Sequence, residues 1–239
     1  LLGLITLSSY INEFLKWTLH SPRPYWWEPE IQGLRAETMF CPPSGHSQNA
    51  VAFWGFGTAV LYERYGHRWL WAAFIALAFL ISVSRVILGV HFPHSLVLGW
   101  TAGVIVLVAY WKLAPGFSAW FVSRSPGVQI SASLAFSLCA VFAGLFYSDF
   151  LAARIPILPE WIANAAADQP ARVVAPFYAK SVVSYSAVLG AMGVGTALML
   201  RTADFSEAGP FGLRVARYIL GLIGIFAIYA SGKLVPVEW

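Results

Sequence analysis

The sequence predicts an all-α integral membrane protein, a polytopic helix bundle of about seven spans within one domain, residues 1–239. Hydrophobic residues make up 59% of the 239 residues and charged residues only 11%, which is far from the composition of a soluble domain. Eleven Trp and ten Tyr fit aromatic belts at two membrane interfaces. The chain lacks the repeated ten-residue segments of alternating hydrophobicity that a membrane β-barrel needs.

Apolar runs of about 20 residues, the length that crosses a bilayer, define the predicted spans. In chain order these runs are 1–19, 44–62, 69–88, 92–111, 129–150, 181–200 and 213–234. The first run resembles the second half of a span, so we expect an upstream span to precede residue 1. A connection is predicted at 112–128, which contains Pro115. The polar connection 151–180 is predicted to hold a short interfacial helix around Trp161.

The charges and cysteines exclude several classes of partner. The net charge is +4, but the Lys and Arg residues lie at the ends of apolar runs and form no basic stripe, so no nucleic-acid partner is expected. Cys41 and Cys139 have no metal-ligand spacing and allow at most one disulfide. Glu28, Glu30 and Glu37 are predicted to form a solvated face. The expected partner is the lipid bilayer, and the oligomeric state is left open.

Three polar clusters interrupt the apolar runs, and the alternation of spans places all three on one side of the membrane. The first is Lys16 with Arg23, the second is Ser44-Gly45-His46, and the third is Arg85 with His91. An Arg at membrane depth costs roughly 2.5–3.5 kcal/mol on insertion scales. A chain tolerates that cost where the side chain lies in a polar cavity or takes part in chemistry.

A phosphate is the ligand that suits this set of side chains. A helix N-terminus offers free N–H groups and partial positive charge to an anion, and Arg supplies a planar fork of donors. Two histidines allow one nucleophile and one general acid. Taken singly, each residue also has an ordinary explanation, because Lys16 can snorkel, Arg23 can be a loop cation and Ser44 can cap its helix.

These clusters, in this order, resemble the three-part signature of the type 2 phosphatidic acid phosphatase superfamily. The matching pattern is Lys16, six residues, Arg23-Pro24; then Pro43-Ser44-Gly45-His46; then Ser84-Arg85, five residues, His91. It covers residues 16–95, whereas residues 96–239 carry none of it. The runs Arg23–Trp27 and His91–His94 resemble most closely the glucose-6-phosphatase-like members and bacterial membrane phosphatases. The resemblance implies a phosphatase core, 1–111, with additional C-terminal spans, 129–234.

The resemblance also implies roles for the site residues. His91 would be the nucleophile that forms a phosphohistidine, and His46 would protonate the leaving oxygen and then activate water. The phosphate oxygens would be held by five groups: Lys16, Arg23, Arg85, the Ser44 hydroxyl and the Gly45 N–H. Since three cations can replace metal ions, neither metal nor cofactor is expected. The family usually has Asp four residues after the nucleophile. Here the residue is Ser95, whose hydroxyl is predicted to accept the ring N–H of His91 and orient the ring.

The expected substrate is a phosphorylated lipid, either a phosphatidate or an isoprenyl diphosphate. Two alternatives stay open: a small phosphate ester such as glucose 6-phosphate, and an inactive relative that binds or transports lipid phosphates. Vanadate-dependent haloperoxidases share the pocket chemistry but are soluble.

The charge distribution predicts an orientation. Eight Lys and Arg residues fall on the motif side and seven on the other. Without the three proposed phosphate ligands, five remain against seven. The positive-inside rule therefore places the site outside the cytoplasm, which in a bacterial inner membrane is the periplasmic side.

Overall fold

A computed structural model describes residues 1–170, 173–202 and 209–233, and all regular structure in these ranges is helical. The helices are α1 (Leu2–Leu19), α2 (Pro24–Trp27), α3 (Gly45–Tyr65), α4 (Trp69–Ile87), α5 (Pro93–Val122), α6 (Pro126–Ala152), α7 (Pro159–Asp168), α8 (Lys180–Thr202) and α9 (Phe211–Lys233). Five of them, α4, α5, α6, α8 and α9, contain segments long and apolar enough to cross a membrane. The predicted class, an all-α integral membrane protein, is confirmed.

The remaining two predicted spans, α1 and α3, have the required length but carry polar residues. Their 18 and 21 residues correspond to about 27 and 31 Å. Asn12 Nδ2 of α1 donates to Gln48 Oε1 of α3 at 2.8 Å, and Gln48 Nε2 donates to the Ser8 carbonyl at 2.7 Å. Because these groups bond one another, α1 and α3 can form the walls of a polar site inside the bundle.

Two predicted boundaries differ from the structure. Helix α5 continues through Pro115 to Val122, so the predicted connection 112–128 shrinks to residues 123–125. A membrane helix tolerates an internal proline because neighbouring groups satisfy the freed carbonyl. The single turn α2 was not predicted, whereas α7 confirms a short helix around Trp161.

The first three turns of α5 lie against the beginning of α3. A Cβ atom on Gly99 would lie 2.7 Å from the Ser44 carbonyl oxygen, and one on Gly103 would lie 2.6 Å from the Gln48 carbonyl oxygen. Small residues four apart let two helix backbones approach closely. This contact places the residues that follow His91 beside the N-terminus of α3.

The connection between α1 and α3 is held by a buried aromatic cluster and by α7. Trp17, Tyr25, Trp26 and Phe40 are each at most 1% exposed. The Asp168 carboxylate of α7 accepts the Gly33 N–H at 2.5 Å. These contacts fix the path of the segment that carries Arg23 and Glu37.

The chain divides into two compact units, Leu1–Leu198 and Met199–Trp239. The first unit contains every residue of the proposed signature. Helix α9 belongs to the second.

Candidate active site

The predicted clusters converge around a cavity of about 410 Å³ in the first unit. Five of the predicted site residues line it: Lys16, Arg23, Gly45, His46 and His91. The other three predicted residues, Ser44, Arg85 and Ser95, are buried and contact residues of this site. Helix α1 contributes Lys16, α3 begins at Gly45, and the turn after α4 carries His91. The site is therefore assembled from helix ends, as the spacing of the clusters predicted.

Arg23 is held rigidly, with its guanidinium directed at His91. Its Nε donates to the Met39 carbonyl at 2.7 Å, and Nη1 donates to the Val90 carbonyl at 2.9 Å. Nη1 also lies 3.4 Å from Nε2 of His91. The side chain is only 1% exposed, so its charge faces the cavity with little screening by water.

The contact with Arg23 bears on which nitrogen of the His91 ring carries the proton. Because a guanidinium N–H can only donate, the contact favours the tautomer in which Nε2 carries the ring's lone pair and Nδ1 carries the proton. Burial, followed by the charges of Arg23, Lys16 and Arg85, lowers the pKa of His91 well below its usual value of 6.5. The ring is therefore neutral at pH 7, as a nucleophile must be.

The partner of His91 Nδ1 is a residue that sequence reasoning missed. Nδ1 lies 3.3 Å from Sγ of Cys41, and this sulfur lies 3.1 Å from the Ser95 hydroxyl oxygen. Ser95 was predicted to accept the ring N–H itself, but the structure places Cys41 between the two. Cys41 and Ser95 are both completely buried, so the Nδ1 side of the His91 ring is closed to solvent.

The turn before α5 owes its shape to Gly89. Gly89 has φ +68°, a left-handed conformation that glycine adopts readily, and α4 ends two residues earlier. The N–H groups of Val90 and His91 both donate to the Arg85 carbonyl at 3.2 Å. The turn therefore fixes His91 relative to the last turn of α4.

Glu37 is the second residue that the sequence did not place correctly. The prediction of a solvated face is wrong for it, because its side chain is only 22% exposed. Its carboxylate accepts from Arg85 Nη2 at 2.7 Å and lies 3.6 Å from Arg23 Nη2. Burial opposes its ionisation, but Arg23, Lys16 and Arg85 outweigh burial and lower the pKa of Glu37. A carboxylate thus occupies the space between two predicted phosphate-binding arginines.

Ser44 and Gly45 open α3 toward the cavity. The Ser44 hydroxyl accepts the Ser47 N–H at 3.3 Å, so it caps the helix, and the Ser44 N–H donates to the Ser95 carbonyl at 2.9 Å. A Cβ atom on Gly45 would lie 2.9 Å from Asn12 Oδ1. His46 follows on the cavity wall, where its side chain is exposed. The arrangement presents a helix N-terminus, whose partial positive charge suits an anion.

The late part of the chain also contributes to the cavity. Tyr185 of α8 lines it together with Ser9, Glu13 and Asn49, although residues 96–239 carry no part of the motif. No spacing rule in the sequence connects Tyr185 or Glu13 with the three clusters.

Comparison with known proteins places the chain in a family. The sequence profile of the PAP2 superfamily matches residues 1–118, and that of the PAP2 superfamily phosphatase transmembrane extension matches residues 183–238. The chain belongs to the PAP2 superfamily, as its motifs predicted.

Several relatives are glucose-6-phosphatases. Glucose-6-phosphatase 2 of Homo sapiens is 26% identical over 195 residues, which cover 66% of this chain and 52% of that protein. Glucose-6-phosphatase catalytic subunit 1 of Mus musculus is 30% identical over 131 residues, which cover 44% of this chain and 37% of that protein. The chain therefore spans about half the length, or less, of these curated relatives. No solved structure matched the chain.

Proposed function

We propose that this chain is a metal-independent membrane phosphatase that hydrolyses the phosphate monoester or diphosphate of a lipid through a phosphohistidine on His91. The observation that carries the proposal is the state of the His91 ring. Its Nε2 lone pair lies beside Arg23, and its Nδ1 proton faces Cys41. A neutral ring held by both nitrogens next to a fixed cation is arranged to attack phosphorus.

In the first step, Arg23 Nη1 donates to a phosphoryl oxygen instead of to Nε2, and the freed Nε2 lone pair forms a bond to phosphorus while the bond from phosphorus to the leaving oxygen breaks. His46, which takes up a proton as the anionic phosphate binds beside it, gives that proton to the leaving oxygen. Arg23, Lys16 and the N-terminus of α3 offset the charge on the remaining phosphoryl oxygens, since positioning and charge stabilisation account for most of phosphoryl-transfer catalysis. The bound phosphate displaces the Glu37 carboxylate from its position between Arg23 and Arg85.

In the second step, water replaces the imidazole. His46, now neutral, takes a proton from water, whose oxygen attacks phosphorus as the bond to Nε2 breaks. Inorganic phosphate leaves and His91 regains its lone pair. The cations of the site supply the charge that metal ions supply in other phosphatases, which is the reason for expecting activity without metal.

Two features of the cavity bear on the choice between a lipid and a sugar substrate. Phe53 and Trp54 of α3 line the cavity and are also 38% and 42% exposed on the surface of that helix, which favours an amphiphile whose tail reaches the bilayer. The names of the relatives, together with polar wall residues such as Asn49, favour a sugar phosphate as the second candidate.

The test is release of phosphate by the purified chain in detergent with EDTA present. Phosphatidic acid, an isoprenyl diphosphate and glucose 6-phosphate are supplied separately. We expect release from a lipid substrate, and exclusive hydrolysis of glucose 6-phosphate would select the second candidate. Activity that appears only after Mg²⁺ is added would refute metal independence. Lipid-phosphate binding without any turnover would identify an inactive binding or transport relative.

The nucleophile has its own test. His91→Ala should remove both turnover and the acid-labile phosphoenzyme that forms from labelled substrate. His46→Ala should slow turnover about 10²–10⁴-fold, the usual contribution of a general acid–base group. His94→Ala is the matched control, because His94 lies three residues further on and is exposed. Phosphate release by His91→Ala at the parent rate would remove the assignment.

We further propose that the site faces the extracytoplasmic side, the periplasm in a bacterium. Single cysteines at Glu30 and Glu63 test this in a Cys139→Ala background, because both positions are exposed and Cys41 is buried. Glu63 lies at the far end of α3 from His46. An impermeant thiol reagent should label Glu30→Cys in whole cells and Glu63→Cys only after lysis. The reverse pattern would invert the orientation.

A further inference from the structure

The cavity beside the phosphate-binding residues is a trench that follows one face of α1. Its lining residues on that helix are Ile5, Ser9, Asn12, Glu13 and Lys16, a helical spacing that covers three turns, or about 16 Å. On α3 the lining runs from Gly45 to Trp54. The trench therefore begins at the phosphate-binding end, passes polar side chains and ends among apolar ones.

Glu13 stands out among the polar side chains of the trench. Asn49 Nδ2 donates to the Ser9 hydroxyl at 2.9 Å, and Asn49 Oδ1 accepts from the Ser8 hydroxyl at 2.7 Å. Asn12 Nδ2 is likewise bonded to Gln48. Glu13 is only 7% exposed, and its buried Oε2 has no hydrogen-bond partner among the described residues. A buried carboxylate oxygen without a donor is costly, so its place in the trench needs a reason.

The position of Glu13 supplies that reason. It precedes Lys16 by three residues, so the two side chains lie on the same face of α1, one turn apart. A substrate whose phosphate is held at the Lys16 end would place the first atoms of its leaving group near Glu13. A carboxylate accepts hydrogen bonds and donates none when ionised, so its complement is a hydroxyl or an ammonium group.

Resting on the proposed phosphatase function, we propose that Glu13 is a specificity-determining residue that accepts a hydrogen bond from a hydroxyl or ammonium group on the leaving group of the substrate. The substrate class is then a phosphate ester that carries such a donor within a few bonds of the phosphate. A single-chain lipid phosphate with a free hydroxyl has this chemistry, and so does a sugar phosphate. An alkyl phosphate lacks such a donor.

The test compares two substrates in two variants. Lysophosphatidic acid has a free hydroxyl beside the phosphate ester, and dodecyl phosphate has none. The kcat/KM for lysophosphatidic acid is divided by that for dodecyl phosphate, and this ratio is measured for the parent, for Glu13→Gln and for Glu13→Leu. Because a hydrogen bond to a charged group separates donor-bearing substrates from others by about ten- to a hundredfold, Glu13→Leu should lower the ratio by that factor. Glu13→Gln keeps an acceptor without the charge and should fall between the other two.

Further arms make the result specific. Glucose 6-phosphate, which carries donors but no tail, shows whether the preference belongs to the sugar or to the amphiphile. Glu30→Leu makes the same chemical change at an exposed position and should leave the ratio unchanged. If Glu13→Leu does not fold, Glu13→Gln still decides the outcome. An equal loss of kcat/KM for both substrates would mean that Glu13 acts through Lys16. Unchanged kcat/KM for both substrates would mean that Glu13 does not contact the leaving group. Either result overturns the proposal, whereas failure of the parent to release phosphate from any of the three substrates would instead count against the phosphatase function.

Discussion

Glu37 allows a quantitative prediction about phosphate binding. Its carboxylate lies 2.7 Å from Arg85 Nη2 and 3.6 Å from Arg23 Nη2, so a bound phosphate has to replace it there. Hydrogen bonds to charged groups contribute about 1.5–3 kcal/mol, and the 22% exposure of Glu37 places this one near the lower end. Since about 1.4 kcal/mol corresponds to a tenfold change, Glu37→Gln should strengthen inhibition by inorganic phosphate about tenfold.

The assay is the inhibition constant of inorganic phosphate, measured between pH 6 and pH 8. Because the cations around Glu37 lower its pKa, the carboxylate stays ionised throughout this range and the effect should not vary with pH. Glu28→Gln is the matched control, because Glu28 lies on the same connection and is exposed. Weaker inhibition of Glu37→Gln by phosphate would show that Glu37 holds the arginines in place for phosphate, and it would refute the idea of competition.

The remaining predictions concern His91 and its neighbours. Because burial and nearby cations lower the pKa of His91, its neutral form persists below pH 6.5, so kcat/KM for a substrate of low phosphate pKa should not fall until well below that pH. Cys41→Ala should slow single-turnover dephosphorylation about 10–100-fold, by analogy with residues that orient metal-bound histidines. Cys41→Ser should slow it by a smaller factor. Position 95 acts on His91 through Cys41, and the rates should decrease there in the order Asp, Ser, Ala; equal rates would end the orienting role. Arg85→Lys should cripple turnover because a point charge cannot replace a planar fork, and a near-normal kcat would exclude Arg85 from the phosphate site.

Much of the site could be predicted from sequence because its residues lie at helix ends in a fixed order. Lys16, His46 and His91 each stand beside the boundary of an apolar run, and an alternating path through the membrane brings such boundaries to one side. The contacts of Glu37 and Cys41 could not be predicted this way. Glu37 meets Arg85 across 48 positions and Cys41 meets His91 across 50, and the irregular connection that carries them has no periodicity to reveal which side chains turn inward.

The two halves of the site are held by different means. The N-terminus of α3 and the first turn of α5 are joined by the bond from the Ser44 N–H to the Ser95 carbonyl, and Gly99 permits the close approach behind it. The N-terminus of α3 is thereby fixed to the turn that holds His91. Arg23 and Glu37 come instead from the connection that packs against α7. The first half is set by helix packing, which resists deformation, and the second by the buried aromatic cluster and α7, so we expect a bound phosphate to displace the Glu37 side chain and not the connection that carries it.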